Sequence, residues 1–127
     1  GIHSDRTGER RMHCAMATLV AAVGLTLTGF LLHSAVLALI ALTIASIGIL
    51  AAFPVFWSLP SAFLAGTAAA GGIALINSIG NLAGFVAPYM IGWFKTSTGQ
   101  LAGGLYFVAA LEACATVLVI AFIRARQ

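Results

Sequence analysis

Between Met12 and Ile123 this chain carries only two charged side chains, Lys95 and Glu112. Its other charges, Asp5, Arg6, Glu9, Arg10, Arg11, Arg124 and Arg126, are confined to the two ends. A soluble domain carries roughly a quarter charged residues. Here the share is 7%, against 61% hydrophobic, too little charge to cover a water-facing surface. The bilayer is the solvent that such a composition requires. The net charge of +3 does not mark a nucleic-acid binder, which needs a basic face interleaved with aromatic residues.

A hydrocarbon core about 30 Å thick needs roughly 20 apolar residues in a helix. Four stretches meet this length: about 13–32, 35–56, 67–94 and 103–123. Ala, Leu, Val and Ile dominate all four, and helices satisfy their own backbone in lipid without leaving an edge. The alternating ten-residue segments of a transmembrane barrel are absent. The expectation is an all-α integral membrane protein with four transmembrane helices in 13–127, preceded by a polar segment over 1–12.

The connections predicted between spans are short. His33 and Ser34 join the first pair, and Lys95 to Ala102 joins the last pair with turn-forming Gly, Ser and Thr. The segment from Trp57 to Gly66 is too apolar for an exposed loop. Pro54 and Pro60 each remove a backbone donor, so the second span is expected to be broken within the membrane, continuing to about Ala65 before a tight turn at Gly66. An even number of spans places both termini on one side. That side holds five Arg residues against Lys95 on the other, which predicts cytoplasmic termini.

Helices associate in lipid through small residues. Gly72, Gly80, Gly84 and Pro88 recur at multiples of four along the third span, and Gly80 with Gly84 forms a GxxxG pair. A close helix contact is expected there. Cys14 and Cys114 sit in apolar runs without metal-ligand spacing, so both read as small buried residues. His3, His13 and His33 fall at interfaces or loops, and Thr43 and Ser46 are placed to bond back to their own helix.

No nucleophile elbow, phosphate loop, metal motif or carboxylate pair is present, and neither an enzyme nor a metal or cofactor site is expected. The informative groups are polar residues within spans. Asn77 and Asn81 lie one turn apart with Ser78 between them. An unpaired amide in hydrocarbon costs several kcal/mol, so each must meet a ligand, water or a partner helix. An interhelical hydrogen bond, worth about 0.6 kcal/mol, is an equal alternative to ligand contact. Glu112 falls near the middle of the fourth span, where a charge costs about 2.5–3.5 kcal/mol on insertion scales. It is a candidate proton-binding site.

Gly1-Ile2-His3-Ser4-Asp5-Arg6-Thr7-Gly8-Glu9-Arg10-Arg11 resembles the signature loop of the major facilitator superfamily, G-x-x-x-D-R-x-G-x-[RK]-[RK]. His3 stands where that motif has an apolar residue. The stretches Pro54 to Pro60, Phe63 to Gly66 and Gly72 to Phe85 are similar to the anion:cation symporter branch, which includes bacterial tartrate, phthalate, hexuronate and galactonate permeases. The resemblance implies helices nine to twelve of a twelve-helix carrier in the bacterial inner membrane, part of its C-terminal six-helix bundle. It implies transport of a small organic anion with protons by alternating access, in partnership with the N-terminal half of the same carrier. Residues 1–12 would be the cytoplasmic loop, in which Gly1, Asp5, Arg6, Gly8, Arg10 and Arg11 stabilise one face of the transport cycle. Asn77 and Trp57 match positions that line the anion pocket of the branch, with Asn81, Phe56 and Ser58 as neighbours. Glu112 matches none of the family's motifs. The alternative is a complete four-helix drug exporter acting as a dimer, which needs a midplane Glu but does not explain the signature loop.

The charge pattern predicts that cysteines placed in Lys95 to Ala102 react with an impermeant thiol reagent from outside the cell, while cysteines beside Arg124 do not. The reverse labelling pattern would invert the topology.

Overall fold

The computed structural model describes residues 10–63 and 65–122. They form four helices: α1 (Arg10–Phe30), α2 (Ala35–Phe63), α3 (Gly66–Thr98) and α4 (Ala102–Phe122). Each is long and apolar enough to cross a membrane. The expected four-span architecture is therefore present. Gly1, Asp5, Arg6 and Gly8 of the signature loop lie outside the described residues, while Arg10 and Arg11 already belong to α1.

The packing is inverted relative to a soluble protein. On α1 the buried residues include Cys14, Thr18, Ala21, Leu25 and Thr28, a stripe at helical spacing made largely of small side chains. Met16, Leu19, Val23, Leu27 and Phe30 face outward. On α2 the buried stripe is Ala41, Ala45, Gly48, Ala52 and Val55, with Leu39, Ile40, Ile47 and Leu50 outside. Lipid accepts large apolar side chains as readily as a protein core does, so the interface selects for close approach instead.

That approach is very close. A Cβ added to Gly24 would lie 2.6 Å from the backbone nitrogen of Ala45, and one added to Gly48 would lie 2.6 Å from that of Ala21. Each glycine thus sits against the small stripe of the other helix. Helix α4 completes the core: Leu105, Val108 and Ala109 pack with Leu25 and Ala45, while Val119 packs with Cys14 and Val55.

Several hydroxyls within the spans bond back to their own helix. Thr26 Oγ1 donates to the Ala22 carbonyl at 2.8 Å, Thr28 Oγ1 to Gly24 at 2.8 Å, Thr43 Oγ1 to Leu39 at 2.8 Å and Ser46 Oγ to Leu42 at 2.9 Å. The back-bonding expected of Thr43 and Ser46 is observed.

Three local expectations need correction. Helix α2 is continuous through Pro54 and Pro60, so the expected break does not occur. Each proline removes one rung, at the Leu50 and Phe56 carbonyls, and membrane helices tolerate such gaps. The chain turns instead after α2, with Ala65 extended and Gly66 at a φ of 60° that favours glycine. Helix α3 continues past Lys95 to Thr98 and closes on Gly99, whose φ is 72° and whose N–H donates to the Lys95 carbonyl at 3.0 Å. Cys114 is exposed on α4 rather than buried, because it falls off the stripe that contains Ala109 and Thr116.

Helix α3 departs from the compact unit. None of its described residues is buried. It meets α4 near its C-terminal end, where the Ile91 backbone lies against Gly104 and Phe94 against Gly103 and Phe107. A Cβ on Gly80 or Gly84 would meet nothing within 4 Å. The GxxxG pair makes no close helix contact among the described residues, because the rest of the core lies on a different side of α3.

Substituting Gly48 by Val is expected to destabilise the α1–α2 pair by about 1–3 kcal/mol, the usual cost of overpacking. Unfolding in mixed micelles measures this, and Gly84→Val in the same chain should cost far less.

Candidate functional site

The residues singled out for ligand contact fall into two groups, one on α2 and one on α3. The first is centred on Trp57. Its ring meets Phe53 at 6.2 Å and Phe56 at 5.6 Å between centroids, both nearly edge-on. The proline pair determines this local arrangement by leaving a helix segment with two missing backbone donors. Phe56 is exposed and Ser58 is half-buried with its hydroxyl turned onto Val55. An aromatic cluster of this kind supplies a flat apolar surface, with the indole N–H as a donor.

The second group lies on α3. Asn77 and Asn81 stand about 16 and 22 Å along the helix from Gly66, at 1.5 Å per residue. Both are exposed, and neither makes a hydrogen bond among the described residues. Ser78 differs, because its hydroxyl donates to the Ala74 carbonyl at 2.9 Å. The two amides therefore keep their donors unspent among the described residues. No hydrogen bond joins Asn77 or Asn81 to the Trp57 group among the described residues.

One polar contact escapes sequence reasoning. Thr18 of α1 and Thr116 of α4, 98 positions apart, have their hydroxyl oxygens 2.8 Å from each other and are both buried. Each also lies within reach of a carbonyl of its own helix, Cys14 for Thr18 and Glu112 for Thr116. No periodicity announces such a pair, since hydroxyls that bond back to their own turn look alike in sequence.

A second feature is an open groove of about 590 Å³ between α1 and α4, lined by Leu19, Ala22, Val23, Thr26, Phe30 and Tyr106 among others. No charged side chain lines it, and the Thr26 hydroxyl is turned onto Ala22. It is not suited to an anion. At one end Phe30 meets Tyr106 with tilted rings, their centroids 5.3 Å apart. Trp93, Phe94 and Phe107 form a further aromatic group near Lys95, as expected where helices leave the hydrocarbon. Among the described residues no cluster of three or more His, Cys, Asp or Glu could hold a metal ion.

Comparison with known proteins defines the class to which these helices belong. A protein of Agrobacterium vitis named as a candidate tartrate transporter is 54% identical over 123 residues, covering 96% of this chain and 28% of that protein. The quinolone resistance transporter of Acinetobacter baumannii is 43% identical over 106 residues, covering 84% of this chain and 24% of that protein. The inner membrane transport protein RhmT of Escherichia coli is 40% identical over 117 residues, covering 92% and 27%. These relatives are named as transporters, not enzymes, and the chain spans about a quarter of their length. Such matches agree with a C-terminal segment of a major facilitator transporter, as the sequence resemblance implies. No family model matches the chain, and no solved structure does.

Proposed function

We propose that these four helices belong to a secondary active carrier that moves a small organic anion, a carboxylate or sugar acid, across the bacterial inner membrane with protons. The observation that carries this reading is the pair of unpartnered amides, Asn77 and Asn81, on a helix long enough to span the bilayer. Lipid cannot satisfy them, whereas carboxylate and hydroxyl oxygens can accept from them. Close identity to proteins named for tartrate, a dicarboxylate bearing hydroxyls, supports the same chemistry. In this reading Asn77 donates to the anion, the Trp57 ring packs on it, and Asn81, Phe56 and Ser58 complete the surroundings.

The open side of α3 needs covering by protein, since amides and glycines make a poor lipid surface. The remaining length of a carrier like the relatives, including an N-terminal half, would supply that cover. Alternating access between the halves would expose the amides to each side in turn. Both termini would be cytoplasmic, which places the signature loop where the halves meet. Asp5 would contact a helix end of the neighbouring half, with Gly1, Arg6, Gly8, Arg10 and Arg11 shaping and anchoring the loop.

Two experiments on the full-length carrier containing this segment test the reading. Asn77→Ala should weaken tartrate-class anion binding roughly ten- to a hundredfold, the value of a buried hydrogen bond to a charged ligand, while the protein still inserts and folds. Unaltered binding, or a loss of folding instead of affinity, would assign Asn77 to helix packing. Asp5→Asn should slow turnover with little change in affinity, measured as a drop in kcat at nearly constant KM. An unchanged turnover would reduce the loop to a positive-inside anchor.

A further inference from the structure

Glu112 lies on the face of α4 that packs on α1 and α2. Leu105, Val108, Ala109, Glu112, Thr116 and Val119 share that face, and all but Glu112 are apolar core residues or the bridging threonine. On that face Glu112 falls between the Leu25–Ala45–Ala109 cluster and the Cys14–Val55 cluster. It stands ten residues from either end of α4, about 15 Å at 1.5 Å per residue, which is the middle of a hydrocarbon core. Its side chain is half-buried and makes no hydrogen bond or ion pair among the described residues.

Among the described residues, no titratable group forms an ion pair with it. Helix α2 contains none. Thr18 opposite Thr116, and Gly29 opposite Tyr106, set α1 and α4 antiparallel. Cys14 of α1 is close enough to Glu112 to interact with it electrostatically, but a thiol supplies no positive charge, and that register places His13 about 14 Å along the axis. Tyr89 and Lys95 of α3 belong to the end that meets Gly103 and Gly104, about two turns away. Tyr106 and the exposed Cys114 share its own helix. A carboxylate at such a place needs water or a cation, whereas a carboxylic acid needs neither.

We propose that Glu112 is a proton-binding site within the α1–α2–α4 core, with Thr18 and Thr116 as its positioning residues. Their hydrogen bond holds α4 to α1 one turn from the carboxyl, on the side of the chain termini, and so limits how water reaches it. The use of this proton in transport rests on the carrier reading above, but its binding does not.

The test is infrared difference spectroscopy of the full-length carrier between acid and alkaline buffer. The carbonyl stretch of a protonated carboxylic acid should appear on acidification, be lost in Glu112→Gln and persist in Glu112→Asp. A band intact in Glu112→Gln would overturn the proposal. Thr18→Val and Thr116→Val should keep the band but shift its midpoint pH, and a midpoint unmoved in both would overturn their positioning role. Carboxylate uptake into proteoliposomes is measured alongside. A carrier that takes up no carboxylate defeats the anion reading, while the band still decides Glu112.

Discussion

Contact between two faces of small residues holds this arrangement together. Gly24 against Ala45 and Gly48 against Ala21 bring the backbones of α1 and α2 nearer than side chains would otherwise permit. No hydrophobic effect favours such a contact in lipid, so dispersion between closely fitted surfaces must supply it. The α1–α2 pair then offers a combined surface on which α4 lays its own stripe. Helix α3 is the element left outside this scheme.

That division matches the division of polar chemistry. Within α1 and α2 the hydroxyls bond back to their own helices, which makes them neutral passengers in hydrocarbon. Thr18 and Thr116 go further and link two helices. The amides of α3 do neither. A helix that carries unspent donors and lacks a packed face offers a surface to further protein, and the relatives are about three and a half times as long as this chain.

The four spans were legible in the sequence because length and apolarity alone decide them. The contact surface was not. Gly80 and Gly84 draw attention through a familiar spacing, yet the tight contacts run through Gly24 and Gly48 against alanines. Alanine is too common in membrane helices to mark a face, and only the register between helices distinguishes a packed alanine from a lipid-facing one. Pro54 and Pro60 predict a break because proline combines two effects, a lost donor and a clash. In α2 the helix absorbs both. Asn77, Asn81 and Glu112 were legible as anomalies of polarity; whether they face a void, a core or a neighbour depends on rotation about the helix axis.

Helix α3 runs for 33 residues, about 50 Å at 1.5 Å per residue, against a hydrocarbon core about 30 Å thick. Its polar C-terminal turns can project beyond the headgroups, but the apolar portion is still too long to stand upright. Such a helix leans. Leaning accounts for a contact with α4 at one end and separation along the rest, as with a ladder resting against a wall. The bilayer thereby becomes a mechanical input to the molecule, because its thickness bears on the tilt of a helix this long.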